Sequence, residues 1–399
     1  MGEPDGARED GVGPSRDGDD LALVMSGGGA RGAYQVGFLG AVAEAVPDFS
    51  PPIITGVSAG AINAAYLASR RGSFHDNVCE LADLWQRLRA EDVIDASTLK
   101  VWHIALGFGL RLLSGGLIRT KPRRSLLDTS PLRAFLCRVL ETEDGRLPGI
   151  AEKIARGELR ALALTASSYT DGGTVTFCEG RDVELWERPL RKSRVVDLTV
   201  DHVMASSALP FFFPAVRLDG GTRDEAWYGD GGIRLTAPLA PAVHLGARRI
   251  LAISTRALEE DTPQGRIPVE ALPYPPPSQI GSSLLNAVFL DQFDGDALRL
   301  ERINELVTRC GGNAAGPFRA IGLKVFRPSQ DLGAMANDYE ARLPKNLRFL
   351  TRGTGTQETR SNDFLSLIMF QTDYVSRLVE LGREDARERM DEITAFLVG

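Results

Sequence analysis

Two segments near the start of the chain decide the fold: LALVMSGGGARGAYQVG (residues 21–37) and PPIITGVSAGAIN (residues 51–63). Each begins as an apolar, strand-like run, passes through a tight glycine-rich turn and continues as a helix rich in small residues. Strands that alternate with helices in this way are typical of a mainly parallel sheet covered by helices on both faces. The segments therefore predict two β-loop-α units of an α/β protein.

The second segment contains the pattern G-x-S-x-G around Ser58. Gly56 and Gly60 remove side chains that would obstruct a sharp turn from strand to helix. Such a turn is a nucleophile elbow, which presents the serine hydroxyl at the end of a strand. The pattern alone is a modest signal in a chain with 42 glycines, so its strand and helix context supports the interpretation. We predict that Ser58 is a nucleophile.

The first segment places Gly27, Gly28 and Gly29 at the start of a helix. Backbone N–H groups and the positive end of the helix dipole can hold a negative charge there. Residues 27–32 (GGGARG) also satisfy G-x-G-x-x-G, with Gly27, Gly29 and Gly32 at its glycine positions. This is a pattern of dinucleotide-binding folds, which also require an acidic residue at the end of the next strand. Asp48 has about the right spacing but precedes the second strand. An anion hole beside a nucleophile therefore indicates acyl transfer.

Composition excludes several classes of protein. The 399 residues are 43% hydrophobic and 25% charged, and the net charge of -7 disfavours binding to nucleic acid. The four cysteines form no C-x-x-C pair, which argues against a disulfide framework or a thiolate metal site. We expect residues 1–20 to form a disordered acidic tail without the features of a secretory signal. These observations predict a cytoplasmic protein and leave peripheral contact with a membrane open.

The pattern of strands and helices divides the chain into segments. Residues 21–255 alternate as one catalytic domain, interrupted by the apolar insertion 101–118, which is either an interfacial helix at the mouth of a site or a core-packed cap. A proline-rich loop is expected over 256–281, followed by a C-terminal extension, 282–399, that packs on the catalytic domain. Within the extension, the pattern predicts a helix, a strand and a helix at 282–308, 318–326 and 374–398.

A nucleophilic serine needs a base, and the histidines do not offer an obvious one. No histidine follows His244 in the last 155 residues, where the catalytic triad of an α/β-hydrolase would place its histidine. A carboxylate within hydrogen-bond reach can act instead. Asp230 is the best candidate, because Gly231 and Gly232 would allow a close turn toward another loop. A second D-G-G at Asp171 shows that this pattern alone is weak.

Four blocks of the sequence together resemble a known family. In order, GGGARG (27–32), GVSAG (56–60), ASSALPFFFP (205–214) and DGG (230–232) resemble the signature blocks of the patatin-like phospholipases. The resemblance covers about residues 20–255, and the later part is similar to the C-terminal extension of bacterial members. It implies a three-layer α/β/α fold with a mainly parallel central sheet and a C-terminal α-rich extension.

The resemblance also implies a catalytic Ser-Asp dyad, with Ser58 as the nucleophile and Asp230 as its general base. It implies an oxyanion hole in the first block, with N–H groups of Gly28, Gly29 and Ala30 as donors and the Arg31 side chain in support. Neither a metal nor a cofactor is expected. The predicted oxyanion-hole residues are Gly27, Gly28, Gly29, Ala30, Arg31 and Gly32, and the motif-supporting residues are Gly56, Gly60, Gly231 and Gly232.

The predicted function is therefore a serine acyl hydrolase that cleaves phospholipid or lysophospholipid acyl esters through an acyl-enzyme, in lipid catabolism or remodelling. Phe211, Phe212 and Phe213 could line an acyl-chain channel, although neighbouring side chains cannot all face one way, so two of them could equally belong to the core. Two alternatives remain: a catalytically silent protein that binds lipid or a partner, and a dinucleotide-binding oxidoreductase.

Overall fold

The computed structural model describes residues 21–95, 125, 127–218, 226–257, 277–289, 291–310, 318–343, 348 and 362–398. The predicted tail 1–20 and the predicted insertion 101–118 lie outside the described residues, as does most of the predicted loop 256–281. The end of that predicted loop is helical, because a helix begins at Pro277. Proline suits the first turn of a helix, where its missing N–H would have no partner.

Within the described residues, ten strands form one sheet with the order β10-β9-β1-β2-β3-β4-β6-β5. Strands β10, β9, β1, β2 and β3 are neighbours in this order and run parallel. The short strands β7 and β8 pair with each other, and β8 also pairs antiparallel with β3. The strands are β1 (Leu21–Met25), β2 (Ile53–Val57), β3 (Ala161–Ser168), β4 (Thr174–Gly180), β5 (Glu187–Arg188), β6 (Arg191–Val195), β7 (Val216–Leu218), β8 (Ala226–Asp230), β9 (Arg249–Ile253) and β10 (Gly322–Phe326).

The helices connect these strands and continue through the C-terminal region. They are α1 (Gly32–Ala45), α2 (Ala59–Ser69), α3 (Phe74–Arg87), α4 (Ala90–Val93), α5 (Ser130–Val139), α6 (Pro148–Ala155), α7 (Val200–Ser206), α8 (Ala240–His244), α9 (Pro277–Phe289), α10 (Asp291–Cys310), α11 (Leu332–Asn337), α12 (Asp363–Ile368), α13 (Thr372–Glu388) and α14 (Met390–Val398). Among the described residues, no helix is both long enough and apolar enough to cross a bilayer.

Alternating side chains of the central strands form a hydrophobic core on each face of the sheet. In β1, Leu21, Leu23 and Met25 join the core beneath α1, α2 and α3, whereas Ala22 and Val24 join the core beneath α8 and α10. Both faces of the sheet are therefore covered by helices. This arrangement confirms the predicted three-layer α/β/α fold.

Helix α13 packs closely along α1. A Cβ atom at Gly37 would overlap the backbone of Val379, and one at Gly382 would overlap the backbone of Tyr34. Because both positions are glycine, the two helix backbones can approach each other more closely than side chains would allow. Helix α13 thereby fixes the position of α1, whose first residue directly follows the glycine loop.

The C-terminal region contributes to the sheet as well as to the helical layers. Strand β10 pairs in parallel with β9 at the sheet edge, within the predicted strand 318–326. The single helix predicted over 282–308 is instead two helices, α9 and α10, and the final predicted helix is divided into α13 and α14. Periodicity records a continuous apolar face but does not reveal where one helix ends and the next begins.

Candidate active site

Ser58 lies at the sharp junction between β2 and α2. Its backbone has φ 56° and ψ -127°, an uncommon conformation for a residue other than glycine. The Ser58 N–H donates to Ser206 Oγ at 3.1 Å, and its carbonyl accepts from the N–H of Ala61 at 2.9 Å. These bonds hold the turn in its strained form, as expected of a nucleophile elbow.

The two glycines of the Ser58 motif are required by close backbone approach. A Cβ atom at Gly56 would overlap the carbonyl of Gly60. One at Gly60 would lie 2.6 Å from the Ser26 carbonyl oxygen, inside van der Waals distance. The motif therefore packs the start of α2 directly against the end of β1, where the glycine loop begins.

The sheet register brings Asp230 next to Ser58. Along one edge of β3, Thr165 pairs with Val57 at the end of β2, and the next residue, Ala166, pairs with Asp230 at the end of β8. Strands β2 and β8 thus meet end to end on the same edge of β3. Ser58 directly follows the last residue of β2, and Asp230 is the last residue of β8, so the ends of these strands bring the two predicted catalytic residues together.

Asp230 is fully buried, with 0% of its side chain exposed. Its Oδ1 accepts a hydrogen bond from the Gly232 N–H at 2.8 Å, while Oδ2 is buried with no hydrogen-bond partner among the described residues. Burial raises the pKa of Asp230 to about 7, although the nearby Ser58 hydroxyl and the Gly232 N–H both act to lower it. The carboxyl can therefore gain or lose a proton near neutral pH.

The glycine loop lies beside the nucleophile. A Cβ atom at Gly27 would lie 3.0 Å from Ser58 Cβ, and Gly28 and Gly29 have positive φ values of +151° and +54°, a region that favours glycine. Gly28 and Gly29 line the same cavity as Ser58. Among the described residues, neither of their N–H groups donates to a protein acceptor, so both remain available to a ligand.

The Arg31 side chain points away from this cavity. It is buried, with 2% exposed, and its Nε donates to Ser366 Oγ at 2.7 Å. A terminal nitrogen pairs with Asp363 Oδ1 at 2.5 Å. The side chain of Arg31, one of the predicted oxyanion-hole residues, therefore contacts α12 and does not line the cavity in front of Ser58.

A buried hydrogen-bond chain that the motifs do not reveal connects the glycine loop to α2 and α3. Gln35 Nε2 donates to the Ser26 carbonyl at 2.8 Å, and Asn63 Nδ2 donates to the Gly32 carbonyl at 3.1 Å. Trp85 Nε1 in turn donates to Asn63 Oδ1 at 2.8 Å. The one sequence signal for this chain is the presence of amide side chains inside helices that are otherwise small and apolar.

An apolar cavity of about 70 Å³ extends from Ser58 between α2, α3 and α5. Ile62 and Tyr66 line it one and two turns beyond Ser58 along α2, so its wall continues for about 12 Å from the nucleophile. Leucine, valine and aromatic side chains form most of the remaining wall. The lining of the cavity suits an apolar group attached to a reacting carbonyl.

The three consecutive phenylalanines have different environments. Phe213 lines the cavity, and the Phe212 ring packs 5.1 Å from the Phe364 ring between centroids. Phe211 is 84% exposed and has φ 67°. Phe212 and Phe213 are partly buried and pack against the core, in agreement with the expectation that two of the three could belong to it, whereas Phe211 belongs to neither the core nor the channel.

Among the described residues, no histidine lines the cavity. His202 Nδ1 lies 2.9 Å from Thr199 Oγ1 near the start of α7, and the His244 ring stacks on Trp186. His103 lies outside the described residues. The described part of the chain also contains no cluster of three His, Cys, Asp or Glu side chains that could bind a metal ion.

The fold and site define an α/β protein with a serine on a nucleophile elbow, an aspartate beside it and an apolar cavity in front. Residues 23–243 match the model of the patatin-like phospholipase family, Patatin. This match covers more than half of the chain, which therefore belongs to that family. Membership confirms the resemblance seen in the sequence and indicates lipid acyl hydrolase activity.

No curated protein matches the chain in sequence. Among solved structures, the chain is similar to VipD from Legionella pneumophila, with a TM-score of 0.37 and 13% identity over 94% of this chain and 67% of that one.

Proposed function

We propose that this protein is a serine acyl hydrolase that cleaves acyl esters of phospholipids or lysophospholipids through the Ser58-Asp230 dyad. The supporting observation is the meeting of β2 and β8 along β3, which sets Ser58 beside a buried carboxylate oxygen that has no other hydrogen-bond partner among the described residues. The apolar cavity that begins at Ser58 supports a long acyl chain as the group recognised.

In the first half of the proposed reaction, Asp230 Oδ2 takes the proton of Ser58 Oγ as that oxygen attacks the ester carbonyl. A bond forms between Oγ and the carbonyl carbon, and the carbonyl oxygen becomes an anion. The N–H groups of Gly28, Gly29 and Ala30 stabilise this oxyanion. The tetrahedral species then collapses, and the leaving alcohol departs with the proton from Asp230, which leaves an acyl-enzyme.

In the second half, Asp230 takes a proton from a water molecule that attacks the acyl-enzyme. The same N–H groups stabilise the second oxyanion, and the fatty acid leaves as Ser58 Oγ regains its proton. A pKa of about 7 suits both roles, because the carboxyl must accept and release a proton in each cycle.

The first prediction concerns the dyad. Ser58→Ala removes the nucleophile and Asp230→Asn removes the base while keeping its shape. We expect hydrolysis of p-nitrophenyl esters and lysophospholipid to fall by at least about 1,000-fold for the serine variant and by about 100- to 10,000-fold for the aspartate variant. Ester turnover and labelling by a fluorophosphonate probe measure these changes, and only Ser58→Ala removes the labelled residue itself.

The matched control is Asp171→Asn, at the second D-G-G sequence of the chain. Asp171 does not line the cavity and pairs with Lys192 Nζ. We expect this variant to hydrolyse esters as the wild type does. If the wild type neither reacts with the probe nor hydrolyses esters in detergent or liposomes, the hydrolase proposal fails and a silent lipid-binding protein replaces it.

A further inference from the structure

The glycine loop is held between two elements distant from it in sequence. On one side, Thr255 Oγ1 donates to the Gly27 carbonyl at 2.6 Å, and a Cβ at Gly28 would overlap the Thr255 side chain. On the other side, a Cβ at Gly29 would overlap the Leu367 carbonyl of α12. The N–H groups available to an oxyanion therefore lie on backbone clamped between the end of β9 and a C-terminal helix.

The Arg31 guanidinium connects this loop to α12 by buried polar contacts. Besides its ion pair with Asp363, it donates to Ser366 Oγ, which in turn donates to the Asp363 carbonyl at 2.6 Å. Asp363 Oδ2 accepts from Asn286 Nδ2 of α9 at 2.6 Å. Both carboxylate oxygens of Asp363 are thus engaged, one by Arg31 and one by α9.

We propose that Asp363 is a positioning residue for the oxyanion hole, and that helix α12 of the C-terminal region is therefore part of the catalytic site. The inference rests on the proposed hydrolase function. Asp363 does not line the cavity and touches no reacting atom. It acts through Arg31, which ends the short helical turn Gly29–Arg31 that carries the loop.

The physical reason is the cost of burying a charge. A guanidinium with 2% exposure stays in place because a carboxylate compensates it, and removing that partner leaves an uncompensated buried cation. Arg31 then has to turn toward water, and its backbone is continuous with Gly29 and Ala30. A displacement of about 1 Å in catalytic groups can cost on the order of 100-fold in rate.

Helix α12 also forms part of the acyl cavity, which makes the coupling direct. Leu367 and Ile368 line the cavity beside Ser58, and Phe370 follows them. These residues lie outside the segment 23–243 that matches the family model. One short helix therefore both braces the oxyanion loop and closes the pocket.

The second prediction tests this role with Asp363→Asn, which keeps the shape of the side chain and removes its charge. We expect kcat for a p-nitrophenyl ester to fall about 10- to 100-fold, with KM changed less than about threefold, because each oxyanion donor is worth roughly 100-fold or more. The matching thionoester has sulfur in place of the carbonyl oxygen and depends less on the oxyanion hole. Its kcat should fall much less.

Controls separate positioning from general damage. Asp373→Asn makes the same substitution in the same extension, where the carboxylate forms an exposed ion pair with Arg342. We expect this variant to hydrolyse the ester and the thionoester with the same kcat as the wild type. If Asp363→Asn does not fold, Asn286→Ala removes the outer hydrogen bond to Asp363 and should give a smaller fall with the same preference for the ester. An unchanged ester-to-thionoester ratio in the folded variant overturns the proposal.

Hydrogen–deuterium exchange of the amides in segment 27–32 tests the brace without relying on turnover. Faster exchange in Asp363→Asn, together with the selective loss of ester hydrolysis, supports the proposal. Unchanged exchange, or an equal loss for both substrates, overturns it. If the wild type hydrolyses nothing, the hydrolase function fails, and exchange in 27–32 alone decides whether Asp363 positions the loop.

Discussion

The Asp230 carboxyl combines two properties that seldom occur together. It is fully buried, and one of its oxygens has no hydrogen-bond partner among the described residues. A buried carboxylate normally gains several hydrogen bonds that keep it ionised, and Asp230 gains one from the Gly232 N–H. Burial without a full set of hydrogen bonds raises the pKa of Asp230 and so favours its protonated form.

The third prediction is the pH dependence of turnover. The proposed base acts only when deprotonated, and burial raises the pKa of Asp230 to about 7. We expect kcat/KM to rise as pH increases through about 7 and to level off above about 8. Initial rates on a water-soluble short-chain ester between pH 5 and 9 measure the profile, and a rate that is flat over this range contradicts the assignment.

Stability offers an independent check on the same group. A folded pKa above the unfolded value means that the folded state holds the proton more tightly, so stability from Asp230 is complete below pH 4 and is lost as pH rises through about 7. Asp230→Asn should therefore raise the free energy of unfolding at pH 8, by at most roughly 4 kcal/mol, and by less at pH 5. Urea unfolding at both values measures the difference.

The residue types at the site could be predicted from the sequence, but most of their contacts could not. Four short blocks sufficed to propose Ser58, Asp230 and the glycine loop, because those positions demand specific backbone geometry. The partners of Arg31 lie 332 and 335 residues away, at Asp363 and Ser366. Nothing in the spacing of the first block indicates which distant carboxylate will compensate a buried cation.

At the scale of elements, β3 organises the site. Its first five residues pair with β2 and its last three with β8, so that one strand edge serves two partners in succession. A Cβ atom at Gly231 would overlap the Thr165 carbonyl of β3, so the turn after β8 can lie against the sheet only as glycine. The weak D-G-G signal thus reflects a specific steric requirement.

The fourth prediction concerns the contact between α1 and α13. Gly37→Ala adds a methyl group that would overlap the Val379 backbone at a fully buried position. Although alanine favours a helix by up to about 1 kcal/mol over glycine, overpacking should dominate and lower the free energy of unfolding by about 1–3 kcal/mol. Chemical denaturation of purified protein measures this change.

Gly40→Ala is the matched control in the same helix. The nearest atom to a Cβ there is an Arg383 nitrogen at 3.4 Å, which is an ordinary contact. We expect this variant to be as stable as the wild type or slightly more stable, because only the gain in helix propensity remains. Equal effects at positions 37 and 40 would show that helix propensity, not the contact with α13, controls stability.

The elements of the first 255 residues were largely predictable, and those of the C-terminal region were less so. The strand-like runs at the start of segments 21–37 and 51–63 correspond to β1 and β2. The pairing of β10 with β9 was not anticipated, because residues 254–321 separate the two strands in the chain. Local patterns identify strands, whereas the choice of neighbour depends on the packing of the whole chain.

At the scale of the whole molecule, several helices that are distant in sequence together enclose the cavity. Helices α2, α3 and α5 form its walls, and residues of the C-terminal region, including Leu367 and Phe370, complete it near Ser58. Under the proposed function, its length along α2, about 12 Å, would set the space available to an acyl chain. Chain length should therefore be sensed at the end far from the nucleophile.

The fifth prediction is a change in acyl-length preference. Val139, at the end of α5, lines the cavity and also a surface cleft beside Tyr66 and Leu84. Val139→Trp fills this end, so we expect kcat/KM for a palmitoyl ester to fall about tenfold or more while that for a butyryl ester changes little. A series of p-nitrophenyl esters of increasing length measures the shift.

Val195→Trp provides the comparison, since Val195 is exposed on β6 and does not line the cavity. The preference for long or short esters should be unchanged in this variant. A loss of activity with Val139→Trp that is equal for all chain lengths would place the acyl chain elsewhere.

The bond between Arg31 and Asp363 also has a consequence for the order of events during synthesis. The glycine loop, Ser58 and Asp230 all leave the ribosome before α12 is translated, because Asp363 follows Asp230 by more than a hundred residues. A nascent chain that stops short of α12 carries the nucleophile and the base, yet its Arg31 has no counter-charge and the cavity lacks part of its wall. If Asp363 positions the oxyanion loop as proposed, a chain that lacks α12 should hydrolyse esters more slowly than the chain that includes it.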